Sequence, residues 1–166
     1  MPIINSSVTI TKVVVWVTNR NATTRVIRNI VAVSDIWEGD PSNSDPVYET
    51  PVPGAFWRSN YANNISSKLT TTNPVRNIST VSDGLSPFAM QQGRDYSVLE
   101  NAIKLRPDEY RVHPQLGFIS LNRRLADSDV LAVSFEYTVI GDSQVYKVGE
   151  FTSDGIIAPE NFVVKP

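Results

Sequence analysis

The clearest pattern along this chain is strict alternation. Leu131, Val133, Phe135, Tyr137 and Val139 alternate with Ala132, Ser134, Glu136 and Thr138. This predicts a strand with one buried face, because successive side chains of a strand point to opposite sides. Gly141-Asp142-Ser143 supplies turn chemistry, and 144–151 returns with Val145 and Phe151 on one face and Tyr146 and Val148 on the other, which makes a hairpin. Near the start, 8–18 reads as a strand whose centre, Val13-Val14-Val15-Trp16-Val17, is apolar on both faces and so is expected to be buried on both. A polar turn at 19–22 leads to a second strand over 25–34, with Ile27, Val31 and Val33 opposed to Ile30 and Ala32. The two are expected to pair as a hairpin.

Between these strands the period changes. Ser97 and Glu100 have the S-x-x-E spacing of a capping box, Val98, Leu99, Ala102 and Ile103 fall on one helical face, and Pro107 ends the run. The spacing predicts one short α-helix over 97–105. Extended pieces at 110–112 and 118–121 flank a reversal at His113-Pro114-Gln115-Leu116-Gly117. Over 38–92 the periodicity fades, and prolines at 46, 51, 53, 74 and 87 exclude long central strands. Tyr48, Phe56, Trp57, Tyr61 and Phe88 argue against disorder there, since disordered segments are poor in aromatics. The segment reads as ordered loops with a helical turn near 61–69 and a short edge strand over 75–81, and 163–166 reads as part of a strand. The expected fold is mainly β, an antiparallel sandwich-like single module. It divides into a hairpin over 8–34, an irregular region over 38–92, a helix plus strands over 93–151, and a tail over 152–166.

Composition narrows the function classes. Fifteen Lys and Arg face seventeen Asp and Glu, so nothing in the overall charge points to a nucleic acid. Cysteine is absent, which removes disulfides, thiol catalysis and cysteine-held zinc. No apolar run approaches the ~18–20 residues of a spanning helix.

The candidate chemistry is sparse. His113 is the single histidine, and it is expected to be a solvated turn residue rather than the base of a catalytic triad. Asp108 and Glu109 are adjacent, so they do not converge on one substrate atom; they read as first-turn acids of a short helical turn after Pro107. Asp127, Asp129, Asp142 and Asp154 lie beside turns without the spacing of a calcium loop. Gly93-Arg94-Asp95 lacks the strand-Gly-x-Gly-helix setting of a phosphate loop and reads as an exposed junction. Asn5, Asn21, Asn64 and Asn77 head Asn-x-Ser/Thr triplets, which a chain rich in these residues yields by chance. Trp16 is expected in the core, while Trp37 and Trp57, with Tyr48 and Tyr61, are candidates for an aromatic contact platform. No nucleophile, base and oxyanion donors converge, so catalysis, a cofactor and a metal are not expected.

Several runs carry a resemblance. GRDYSVLENAIKL, RPDEYRVHPQLGFISLNRRL, DSDVLAVSFEYT and VYKVGEF, in this order over 93–151, resemble a repeated signature of the SprA family. These are very large outer-membrane proteins of gliding motility and type IX secretion in Bacteroidetes. WVTNRNATTRVIRNIVAVSDI, over 16–36, is similar to a second piece of the same family. The likeness spans most of 8–151, loosely in the middle, and Arg123 and Arg124 stand where the family usually has acidic or small residues. The resemblance implies a fragment of a translocon, located in the cell envelope in association with the outer membrane. It also implies contacts with other domains of the same large chain, with secretion-system subunits, and with cargo proteins. Trp37, Trp57, Tyr61 and Arg94 are the candidate contact residues. The alternative expectation is a carbohydrate- or peptide-binding β-sandwich of a bacterial surface protein.

Overall fold

The computed structural model describes residues 7–20, 25–34, 69 and 73–166. Trp37, Trp57 and Tyr61 lie outside the described residues. The fold is mainly β and sandwich-like, as expected. Its strands are β1 (Val8–Val17), β2 (Ile27–Val33), β3 (Tyr96–Lys104), β4 (Tyr110–His113), β5 (Phe118–Leu121), β6 (Leu131–Val139), β7 (Val145–Val148) and β8 (Phe162–Val164). Six form one sheet in the order β7-β6-β1-β3-β2-β8, and β4-β5 form a separate two-stranded sheet. The larger sheet is mixed rather than wholly antiparallel, because β8 runs parallel to β2.

The helix expected over 97–105 does not form; 97–104 belong to strand β3 and Leu105 follows it directly. A β-bulge explains the false helical spacing. Arg28 faces Ala102 and Ile30 faces Leu99, so β3 carries one more residue than β2 across this interval. The extra residue is accommodated at Asn101, which has φ +50° and whose amide donates to Asn29 Oδ1 at 2.9 Å. An inserted residue shifts the phase of alternation. Leu99 and Ala102, three apart, therefore share one face, while Val98 and Ile103 pack on the other. That is also the spacing of one helical face.

The hairpin expected between β1 and β2 is also absent, because β3 lies between them and pairs with both. A strand with apolar residues on both faces gains most from a central position, where both are covered.

The sheet curls until its ends approach. Beyond β8, Lys165 exchanges backbone hydrogen bonds with Val133 of β6, at 2.7 and 3.0 Å, and the Glu150 amide donates to the Val163 carbonyl at 3.0 Å. Trp16, Ile30, Ala32, Leu99, Ala102, Ala132, Phe162 and Val164 fill the concave side. The supposedly polar face of β6 is thus buried at Ala132 and Ser134, whose small side chains suit the tight interior. Arg28 closes one end: its guanidinium lies 4.0 Å from the Phe162 ring centre and donates to the carbonyls of Ile156 and Glu160. Burial lowers the Arg28 pKa, and the charge of Glu160 partly counters that.

Two layers cover the convex side. Tyr110, Ile119 and Leu121 of β4-β5 pack over Val15, Val17, Ile103 and Leu105. Over the other half lie Leu69 and two short helices, α1 (Asn73–Arg76) and α2 (Val81–Leu85), joined by a 3₁₀ turn over Ile78–Thr80. Val75, Val81 and Leu85 meet Val31, Val33 and Val163 there. The edge strand expected over 75–81 is therefore helical. Of the turn expected near 61–69, Leu69 is helical and the rest lies outside the described residues. Asn77, exposed, caps the 3₁₀ turn by accepting from the Ser79 amide at 3.0 Å.

A buried polar knot fastens α1 to the sheet. Arg76 donates to both carboxylate oxygens of Glu150, at 2.7 and 2.6 Å, and to the Asn161 carbonyl at 2.9 Å. Glu150 also accepts from the Val163 amide, and Asn161 Nδ2 donates to the Val75 carbonyl, each at 2.8 Å. Burial disfavours the Arg76 charge, but the hydrogen bonds and attraction of Glu150 outweigh it and raise its pKa.

Candidate interaction surface

The β4-β5 hairpin has an inner and an outer face, and alternation decides which residues stand on each. Tyr110, Val112, Ile119 and Leu121 point toward the sheet, and Tyr110 Oη donates to the Val13 carbonyl. Arg111, His113, Phe118 and Ser120 consequently point away. Gly117, at φ +70°, makes the reversal, and Pro114 at the tip accepts a hydrogen bond from the Ile10 amide at 3.0 Å. The base is held by Arg25, which pairs through two hydrogen bonds with Glu109, while Asn122 donates from its amide to the Glu109 carbonyl and from Nδ2 to the Asp108 carbonyl. Arg25 and the Arg106 amide hold the Glu109 carboxyl below its usual range against a smaller opposing effect of burial. Residues 107–109 form a turn rather than the short helical turn expected, and Glu109 is an ion-pair anchor of the hairpin.

On the outer face His113 and Phe118 stack, with ring centres 4.2 Å apart and planes 23° from parallel. Phe118 and Leu116 nevertheless remain 47 % exposed. Arg111, Arg123 and Arg124 are exposed and have no ion-pair partner among the described residues. Arg106 reaches Asp108 at 3.3 Å, with both side chains largely in solvent. His113 is thus half-buried against a ring rather than simply solvated.

Ser120 Oγ lies 3.3 Å from His113 Nε2, which is within reach for a nucleophile and a base. No described carboxylate orients the imidazole from its other nitrogen, so the pair lacks the third group of a triad. Among the described residues no group of three His, Cys, Asp or Glu side chains is placed to hold a metal ion. The turn acids have local partners. Asp129 accepts from Arg20 and the Ala126 amide, Asp142 from the Gln144 amide and Tyr146 Oη, and Asp154 from the Phe151 amide and Lys147.

Arg94, the described member of the candidate contact set, lies at the far end of β3 from the hairpin. Its Nε and Nη2 donate to Asp95 at 2.8 and 2.9 Å, and half of its side chain is exposed. Arg94 and the Gln91 amide hold the buried Asp95 carboxyl below its usual range, although burial opposes this. The guanidinium therefore braces the entry to β3 through Asp95. The outer face of the hairpin carries a signal the tryptophans obscure: reading the alternation across the 113–117 reversal assigns Phe118 and His113 to the face opposite Tyr110 and Ile119.

No helix among the described residues is long and apolar enough to cross a membrane. No protein-family model matches the chain, and no curated protein matches it.

Proposed function

We propose that this chain is a non-catalytic structural and interaction module, a curled sheet that holds the outer face of the β4-β5 hairpin toward a protein partner. One observation carries this reading: Phe118 stands half exposed, with arginines that form no ion pair among the described residues, on a hairpin whose inner face is fastened to the core. Aromatic and arginine side chains are the types enriched where proteins meet. The wider setting rests on the sequence resemblance to the SprA family alone. On that resemblance the module belongs to an outer-membrane translocon of type IX secretion and gliding motility, in the cell envelope. It contributes to export through contacts with neighbouring domains of the same chain, secretion subunits or cargo.

Photocrosslinking in the cell tests both parts. With benzoylphenylalanine in place of Phe118 in the native gene product, the expected result is crosslinks to other segments of the same polypeptide, to secretion-system subunits or to exported proteins. Crosslinks confined to proteins outside export would remove the translocon setting. A face that captures no protein, in cells where the same probe at a known contact does, would remove the interaction reading.

A further inference from the structure

The outer face of the hairpin also has a charge pattern that bears on what it binds. The chain as a whole carries a net charge of −2. Between positions 106 and 124, four arginines face two carboxylates. Both carboxylates are engaged, Glu109 by Arg25 and Asp108 by Arg106. Among the described residues Arg111, on the outer face, and Arg123 and Arg124, at the open end of the hairpin, form no ion pair, although Arg123 is near enough to Asp129 to help lower its pKa. They follow the stacked His113 and Phe118 and the exposed Leu116 at the tip. In the strip from Phe118 to Arg124, Phe118–Leu121 is extended, about 10 Å at ~3.3 Å per residue, and Arg123 and Arg124 follow directly through a bend.

Resting on the interaction reading above, we propose that this strip is a docking surface for an acidic polypeptide segment with an aromatic or large aliphatic side chain. Its carboxylates meet Arg111, Arg123 and Arg124, and its apolar side chain lies against Phe118. Guanidinium groups match carboxylates through paired N–H donors and lose less than ammonium groups do on leaving water. A fixed aromatic ring beside them supplies the apolar anchor that charge alone lacks. Charge complementarity of this kind governs encounter rate and partner choice and weakens with salt. A nucleic acid presents anionic charge as well, but the total charge of the chain is negative, which does not favour it.

The test is an NMR titration of the 166-residue chain at low salt with a random glutamate–tyrosine copolymer. A lysine–tyrosine copolymer and a single-stranded oligonucleotide serve as comparisons. The expected result is that amide signals of Arg111, Phe118, Ser120 and Arg123 move with the acidic copolymer and not with the basic one. R111E/R124E should weaken binding about tenfold or more, and F118S several-fold, while both variants keep the dispersed spectrum of the folded chain. Absence of shifts, shifts on another face, or equal binding by the variants would overturn the proposal. Tighter binding of the oligonucleotide than of the acidic copolymer would overturn it in favour of a nucleic acid. The two proposals fail separately. Crosslinks from position 118 to a protein without an acidic segment, with no copolymer binding, leave the interaction reading standing and remove this one.

Discussion

Replacing Glu150 with Ala is expected to destabilise the fold by about 3–5 kcal/mol, the cost of leaving a buried charge without its partner. Glu150 is buried, accepts two short hydrogen bonds from Arg76, and accepts a third from the Val163 amide. Its loss removes the countercharge of the Arg76 guanidinium, which keeps the Asn161 carbonyl as acceptor, and leaves the Val163 amide without its acceptor. The helical layer then keeps only the hydrogen bonds through Asn161 as its polar fastening beside β8. Removing both charges together is a different experiment. R76M/E150L fills the site with apolar atoms and leaves no orphaned charge, although the Val163 amide still lacks its partner, at about 1–3 kcal/mol. The double variant should therefore be less destabilised than E150A. Urea denaturation measures this directly, as a midpoint shift at unchanged slope. A loss under ~1 kcal/mol for E150A, or a double variant worse than the single one, would show that the pair does not hold the layers together.

G149A is expected to cost about 3 kcal/mol, from two separable causes. Gly149 has φ +74°, where a side chain costs about 1–2 kcal/mol. A Cβ there would also lie 2.9 Å from Ser134 Cβ and 3.3 Å from the Cα atoms of Ser134 and Val164. These atoms belong to β6 and β8, which meet where the sheet closes, so little can move aside, and overpacking costs about 1–3 kcal/mol more. Gly155 is the internal control. It has φ +79° but nothing within 4 Å of the added carbon. G155A should show the conformational cost alone, and the difference between the two variants measures the close approach of β7 to β6 and β8. Equal losses would mean that the approach is looser than described.

Much of the strand pattern was legible, and the misreadings have definite causes. The alternation over 131–139 and the turn at Gly141-Asp142-Ser143 correspond to β6, its reversal and β7. The two faces of 25–34 divide as expected, with Ile30 and Ala32 on the concave side and Val31 and Val33 buried on the convex side. Neighbours in space were not legible. Order along the chain favours pairing β1 with β2, yet β3 fits between them because Leu99 and Ala102 face inward while Val98 and Ile103 face two different covering layers. Asn101 is the only residue in that stretch that hints at a bulge, since Asn tolerates positive φ better than most. The helices over 73–85 were hidden by their brevity: α1 has four residues and α2 five, too few for a helical period to register. At the candidate surface, turn signals fixed the hairpin, and alternation is enough to place Phe118 outward. Its half-exposed state was not legible, because that depends on what the surrounding chain leaves uncovered. Likewise, Arg94 is a charged residue at a junction in sequence, but only the fold brings it onto the buried carboxylate of Asp95.

The path of 96–104 decides the whole architecture, since β3 is the strand that joins β1 to β2 and leads directly into the presented hairpin. Backbone NMR of the chain tests it most directly. The expected result is contacts between backbone protons of Leu99 and Ile30 and of Ile103 and Val17, with slow amide exchange across these pairs. Sequential amide–amide contacts running through 97–105, together with direct pairing of β1 to β2, would instead establish a helix there and contradict the fold.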